Sequence, residues 1–446
     1  MRIDDMSEGR AGEQATGVLP TAARMPTPRH VRAGFIPLVD AAVLIAARER
    51  GFAAKEGLEL DLVKDVSWSN IRDRLAFRQF DVAHMLAPMP VASALSVGSN
   101  PYPIIAPIAL GRGGNAITLS IALYRQMQEL CGLDGTEPSM ANAQALKKIV
   151  QHRKANGEPT LVFAMTYPFS SHNYEFRYWM AAAGIHPDQD VRMVVIPPPL
   201  AADALQAGAI DGFCVGAPWN MIAVEEGHGR IVATKADLWG ASPEKVLGMR
   251  PEWAEENHDT VKRLIVALDG AARWCDALEN REELASILAH SSYVGAPASI
   301  LKRVLLGEFA VDPNGESRTV KDYFVFHRQA ANFPWVSQAL WIYSQMVRWG
   351  QIRFDERFVE ATAKAFRPDL YREALAGSDT PIPAIDSKDE GTAEASVVPT
   401  IDGTPLQIGP DLFCDGRVFK PSAIEAYIDS FELSTTAKPA SAGDQP

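Results

Sequence analysis

Between residues 30 and 215 the chain switches again and again between a two-residue and a helical hydrophobic period. That switching restricts it to an α/β architecture, because strands and helices that alternate build a mainly parallel sheet covered by helices. Residues 30–37 read as a strand. Residues 39–50, rich in Ala, Leu and Ile, read as a helix stopped by Gly51. Alternation over 58–63 predicts a strand, followed by a helix over 70–77 and strands over 81–86 and 104–110. Further on, helices are expected over 141–154 and 172–183, and strands over 160–164, 191–196 and 209–214. Pro197-Pro198-Pro199 ends one strand and can open the next helix, where proline is tolerated in the first turn. After residue 250 the pattern becomes mostly helical, over 258–281, 282–291, 297–306 and 335–349. Residues 378–400 are poor in large apolar side chains and read as a linker or exposed loop.

A chain of 446 residues holds two or three domains at ~100–200 residues each. Two α/β lobes joined by crossing strands account for the layout. Residues 30–115 plus 215–375 would form lobe 1 with a helical extension, and 116–214 would form lobe 2. Residues 376–433 would be a linker and a C-terminal segment packing back. Residues 1–29 and 434–446 read as a flexible start and a disordered tail. The formal net charge of −12 argues against a broad phosphate-binding surface, so no direct nucleic-acid contact is expected. The four cysteines form no CxxC pair and suit a reducing compartment. In residues 1–29, Asp4, Asp5, Glu8 and Glu13 interrupt any apolar core of the ~7–15 residues that an export signal needs. No run reaches the ~18 apolar residues of a membrane span. A cytoplasmic protein that neither crosses nor binds a membrane is the expectation.

No enzyme motif appears: there is no GxGxxG after a strand, no GxxxxGK[ST], no HExxH and no GxSxG. The nine histidines do not cluster at ligand spacing. Neither a catalytic role, a metal nor a cofactor is expected. Four stretches instead suit one small anion: Ser67-Trp68, Gly113-Gly114-Asn115, Ser171-His172-Asn173 and Pro243-Glu244-Lys245. An anion whose oxygens only accept hydrogen bonds needs donors, positive charge and few acceptors. The Trp68 indole N–H can only donate. Gly113 and Gly114 let backbone N–H groups come close. Asn115 and His172 can donate, and Lys245 adds a charge-assisted hydrogen bond. Taken singly, each has a structural explanation: packing for Trp68, a turn for the glycines, helix capping for His172, a solvated surface for Lys245.

The surrounding segments resemble the nitrate- and bicarbonate-binding family of solute-binding proteins. The resemblance rests on residues 34–40 (GFIPLVD), 83–90 (AHMLAPMP), 177–185 (RYWMAAAGI) and 195–199 (VIPPP). It continues in 211–220 (DGFCVGAPWN), 243–245 (PEK), 274–276 (WCD) and 415–419 (DGRVF), covering residues 30 to about 430 in order. It implies a two-lobed, periplasmic-binding-protein-like fold (type II) with the ligand cleft between the lobes and a helical C-terminal part. Trp68, Gly114, Asn115, His172, Pro198, Val215 and Lys245 are the implied ligand-binding residues. Asn115 falls where the family often has a glutamine, so a water could bridge there. A lysine at 245 implies an anion without a proton to donate, nitrate or nitrite. Without an export signal the chain is similar to the cytoplasmic nitrate-sensor branch (NasS-type). That branch holds an ANTAR-type RNA-binding antiterminator inactive until nitrate or nitrite binds. The competing expectations are the exported binding component of a nitrate ABC transporter with a misassigned start, and an enzyme on the same fold.

Overall fold

The computed structural model describes residues 28–98 and 102–435. The expected flexible start therefore lies almost wholly outside the described residues, as does the tail from 436 on. Ten strands build the sheets of the two lobes, and a short eleventh, β5, pairs outside them. They are β1 (Arg29–Phe35), β2 (Leu58–Lys64), β3 (Val82–Leu86), β4 (Ile105–Ala109), β5 (Arg112–Gly113) and β6 (Asn115–Ser120). The others are β7 (Val162–Met165), β8 (Arg192–Val195), β9 (Gly212–Gly216), β10 (Gly229–Thr234) and β11 (Lys245–Met249).

The first sheet runs β2-β1-β3-β11-β4 and the second β8-β7-β9-β6-β10. The two orders are the same arrangement built twice. In the first sheet β1 runs parallel to β2 and β3, and β11 runs against β3 and β4. In the second β7 runs parallel to β8 and β9, and β6 runs against β9 and β10. The reversed strand of each sheet is the one that enters from the other lobe: the chain leaves β4 to form β6, and leaves β10 to form β11. Ligands of open α/β sheets gather at the carboxyl ends of the parallel strands. Because β6 and β11 run backwards, their first residues, Asn115 and Lys245, lie at that same end.

Most of the expected elements are present within a few residues, including the helices Ala42–Glu49, Trp68–Ala76, Ser139–Ala155, Ser171–Ala182 and His258–Asp276. The lobe boundary is corrected. Gly229–Thr234 pairs with β6 and completes the second sheet, so the return to lobe 1 comes at Lys245 rather than at residue 215. The exposed-loop reading of 378–400 is corrected too. Ser396–Pro399 and Pro405–Ile408 form a hairpin, and Glu390 is fully buried. Buried charges are tolerated when paired, and here Lys388 bridges Glu390 and Asp411. Beyond them Phe413 packs on Trp239, with ring centroids 4.7 Å apart, and on Trp341 at 5.7 Å. The tail expected from 434 is still pinned at Thr435, whose N–H donates to Arg348 O at 2.9 Å and whose hydroxyl donates to Asp188 at 3.0 Å.

Candidate functional site

Each lobe aims the first turn of one helix at the cleft. In lobe 1 the Ser67 hydroxyl accepts the Asn70 N–H at 3.2 Å and caps the helix Trp68–Ala76. In lobe 2 the Ser170 hydroxyl accepts the Asn173 N–H at 3.0 Å and caps Ser171–Ala182. The cap is thus Ser170, not His172, which sits inside the first turn. Trp68 and His172 are both sealed from solvent, at 1% and 0% exposure. The positive end of each helix dipole favours negative charge.

Lys245 lies beside Trp68 and, through Glu244, next to His172. Its ammonium is 5.4 Å from the centre of the Trp68 ring, donates to Asp40 Oδ2 at 2.6 Å, and pairs with Glu244. His84 Nδ1 accepts the Ile36 N–H at 3.4 Å, so its Nε2 carries the proton and donates to Asp40 Oδ1 at 2.9 Å. Burial pushes His84 below its ordinary value, which keeps the ring neutral despite Asp40. Burial also works against ionisation of Asp40, but Lys245 and His84 outweigh it and hold the carboxylate charged.

A second lysine extends the cluster. Lys235, just after β10, reaches Glu175 at 2.9 Å, Pro243 O at 3.1 Å, and Glu244. Burial pushes this ammonium down, and Glu175 and Glu244 together reverse the shift. Glu244 lies between both lysines. They and His172 overcome its burial and hold it well below the carboxylate range. Glu175 accepts the Ser242 hydroxyl at 2.6 Å. Burial lifts Glu175 above its ordinary value, against the pull of Lys235. The core of the site is therefore three carboxylates interleaved with two ammonium groups, all at 5% exposure or less.

The expectation of a donor-rich site with few acceptors is corrected by those carboxylates. Asn115 is corrected as a direct donor: its amide nitrogen donates to Glu244 at 2.6 Å and to Glu175 at 3.1 Å, which uses both hydrogens. Gly114 is corrected as well. Its N–H goes to Tyr323 O at 2.9 Å. Gly113 and Gly114 have φ of +91° and +89° beside the crossing chain, where a Cβ on Gly113 would lie 2.0 Å from Tyr323 O. Close packing of Tyr323 and Phe324 requires the pair. Val215 is buried in an apolar cluster with Ala164 and Phe213. The next residue, Gly216, does meet the cluster: a Cβ there would lie 3.4 Å from both Asn115 Oδ1 and Asp40 Oδ2. Pro198 is buried in the short turn Pro198–Leu200 after β8.

Trp68 keeps its donor capacity, and so does His172 in the tautomer that carries its proton on Nε2. Among the described residues Trp68 Nε1 and His172 Nε2 are buried with no hydrogen-bond partner. His172 Nδ1 lies 3.2 Å from the Thr166 hydroxyl, and Nε2 is 3.4 Å from Glu244 Oε1. Burial pushes His172 down to about 3, so the ring is neutral. A buried N–H without a partner costs about 1–3 kcal/mol, so an acceptor reaching these groups would be stabilised.

Glu175 and Lys235 were not singled out from the sequence, and Asp40, His84 and Glu244 only as parts of motifs. One signal was available. Asp40 stands alone in an apolar run, Leu38-Val39-Asp40-Ala41-Ala42-Val43-Leu44-Ile45. A charge in such a run is paired when the run is buried. The lobes also touch directly around the cluster. Val39 N–H donates to Ala217 O at 3.0 Å and Arg72 to the Tyr167 hydroxyl at 2.7 Å, while Ser171 Oγ holds the crossing chain at Pro243 O, 3.0 Å away.

Two sheets of one topology closed over a buried polar cluster define a two-lobed, periplasmic-binding-protein-like solute binder. Residues 24–289 match the NMT1-like family. Similar proteins include the nitrate/nitrite binding protein NrtA of Synechococcus elongatus, 33% identical over 421 residues, covering 92% of this chain and 87% of that one. The nitrate import ATP-binding protein NrtC of Synechocystis sp. is 38% identical over 343 residues, or 76% of this chain; the match spans only 49% of NrtC. The crystal structure of the periplasmic nitrate-binding protein NrtA from Synechocystis superposes with a TM-score of 0.80 at 28% identity, covering 92% of this chain and all of that one. The chain belongs to the NMT1-like family, among the nitrate/bicarbonate solute-binding proteins.

Trp68→Phe tests the unpartnered indole. It keeps an aromatic ring in place and removes the N–H, along with part of the bicycle. A hydrogen bond to a charged acceptor contributes ~1.5–3 kcal/mol, so the affinity for an anion held there is expected to fall by roughly tenfold or more. Calorimetry measures this directly. Unchanged affinity in the variant would rule out contact between Trp68 and the anion.

Proposed function

We propose that this chain binds nitrate or nitrite between its lobes and does no chemistry on it. The observation that carries the reading is a pair of buried ring nitrogens without a hydrogen-bond partner, Trp68 Nε1 and His172 Nε2, in the same cluster as the Lys245 ammonium. A planar anion has only acceptors to offer, and the Trp68 N–H, the Lys245 ammonium and the Nε2–H tautomer of His172 suit it. The names of the similar nitrate-binding proteins support the same ligand. The test is calorimetric titration with nitrate, nitrite and bicarbonate. Tighter binding of bicarbonate than of either nitrogen oxyanion would overturn the assignment.

The finer reading is a cytoplasmic sensor that sequesters an ANTAR-type RNA-binding antiterminator until the anion binds. The four unpaired cysteines support a reducing compartment. Two lobes in direct contact around the ligand cluster support a closure that a partner could read. A ligand shifts such an equilibrium only by its differential affinity for the open and closed states. Nitrate must then weaken the complex by the factor by which the partner weakens nitrate binding, a coupling of at least ~2 kcal/mol, or about 30-fold. Mixing the protein with the antiterminator and following complex size decides it. A complex equally stable at saturating nitrate would favour the other reading, the binding component of a nitrate import system, which the relatives' names support.

A further inference from the structure

The side-chain charges of the cluster do not balance, and their imbalance has the wrong sign for capturing an anion. Asp40, Glu175 and Glu244 face only Lys235 and Lys245 as full cations, while His84 and His172 are held neutral by burial. With all three carboxylates ionised the cluster carries one net negative charge. A nitrate added to it would make two, in a place closed to water where uncompensated charge is expensive.

The three carboxylates are not equally supported. Glu244 has two lysines. Asp40 has Lys245 and the N–H of His84. Glu175 has only Lys235, which it shares with Glu244. The other groups facing it are neutral or negative: the Ser242 hydroxyl at 2.6 Å, the Asn115 amide at 3.1 Å, the Glu244 carboxylate across Lys235, and the Cys214 thiol on β9. Burial and the nearby Glu175 and Glu244 push that thiol well above its usual range, so Cys214 adds no charge. Glu175 is thus the carboxylate that gains most from becoming neutral. The proton balance is simple: one proton from solvent joins a Glu175 carboxylate oxygen as one anion enters, and both leave together.

We propose that the site takes its anion together with a proton, and that Glu175 receives the proton. This rests on the anion-binding reading above and adds a second ligand to it. The proton makes Glu175 a specificity-determining residue, because it lets a negatively charged cluster accept an anion at all.

Nitrate titrations of the full chain in buffers of differing ionisation enthalpy count the protons taken up. The expected result, scanned from about pH 6 to about pH 9, is a count that approaches one per anion. Over the same window affinity should fall by up to ~tenfold per pH unit as pH rises, the slope that linkage requires for one proton. In Glu175→Gln the count should drop towards zero, the pH dependence should flatten, and alkaline nitrate binding should exceed that of the unmodified protein. Nitrate bound with no proton uptake at any pH, or a full count persisting in Glu175→Gln, would overturn the proposal and leave the anion site standing. No nitrate binding at any pH would remove the site itself. The count on the unmodified protein decides the first point even where the variant fails to fold.

Discussion

Lys245→Ala is expected to lower nitrate affinity by ~30-fold to several-thousand-fold, the ~2–5 kcal/mol lost when one partner of a buried charged contact is removed. The ammonium does two jobs at once. It supplies the cation nearest the unpartnered Trp68 and His172 donors, and it neutralises Asp40 and Glu244. Alanine leaves those carboxylates facing each other and facing the anion. Breaking a buried pair from one side is also strongly destabilising, by ~3–5 kcal/mol, so a drop in the melting temperature should accompany the loss of binding. Lys245→Glu should be worse on both counts. The double variant Lys245→Met with Asp40→Asn separates the two effects, since it removes one charge of each sign. Stability should largely return, and binding should not. Calorimetry with thermal melts reads both quantities. A Lys245→Ala protein that titrates with unchanged nitrate affinity would show that the anion does not meet this lysine.

Local period and turn chemistry are carried by neighbours in sequence, and those parts of the fold were legible. The strands at 58–64 and 82–86, and the helices capped by Ser67 and Ser170, all lie where the patterns put them. Elements defined by their partners were not. Gly229–Thr234 is a strand because it completes a sheet against β6, and Lys245–Met249 because β3 and β4 leave a slot between them. Neither requirement is written in its own residues. The site followed the same division. Trp68, His172 and Lys245 were found and are brought together. The carboxylates were missed because reasoning from an anion towards its donors cannot suggest Asp40, Glu175 or Glu244. They become intelligible only once two buried lysines need counterions. Gly114 and Asn115 were placed at the site for a reason that the structure replaces, since their hydrogen-bonding groups serve Tyr323 and the two glutamates.

Phe413→Ala is expected to be among the most damaging single changes far from the cleft. The ring is 3% exposed and packs against both Trp239 and Trp341, whose own centroids are 4.6 Å apart. Truncating a buried aromatic ring costs ~3–5 kcal/mol. At ~2.1 cal/mol/K per residue the unfolding entropy of a chain this long approaches ~0.9 kcal/mol/K, so the melting temperature should fall by about 3–5 °C. The effect should reach the cleft by a definite route. Phe413 pairs with Trp239 through a backbone bridge, and the Cys414 N–H donates to Leu238 O at 2.8 Å. Those contacts hold the stretch between β10 and β11, whose Lys235, Ser242, Glu244 and Lys245 make up one side of the cluster. The segment that reads in the sequence as a linker and a C-terminal part packing back is therefore a clamp on the returning chain. Phe413→Ala should weaken nitrate binding several-fold although the ring touches none of the charged groups, and a chain ending at Leu375 should fail to give folded protein. Thermal melts and nitrate titration on the same preparation test the coupling. Reduced stability with undiminished affinity would show that the returning chain holds its side of the cluster without the clamp.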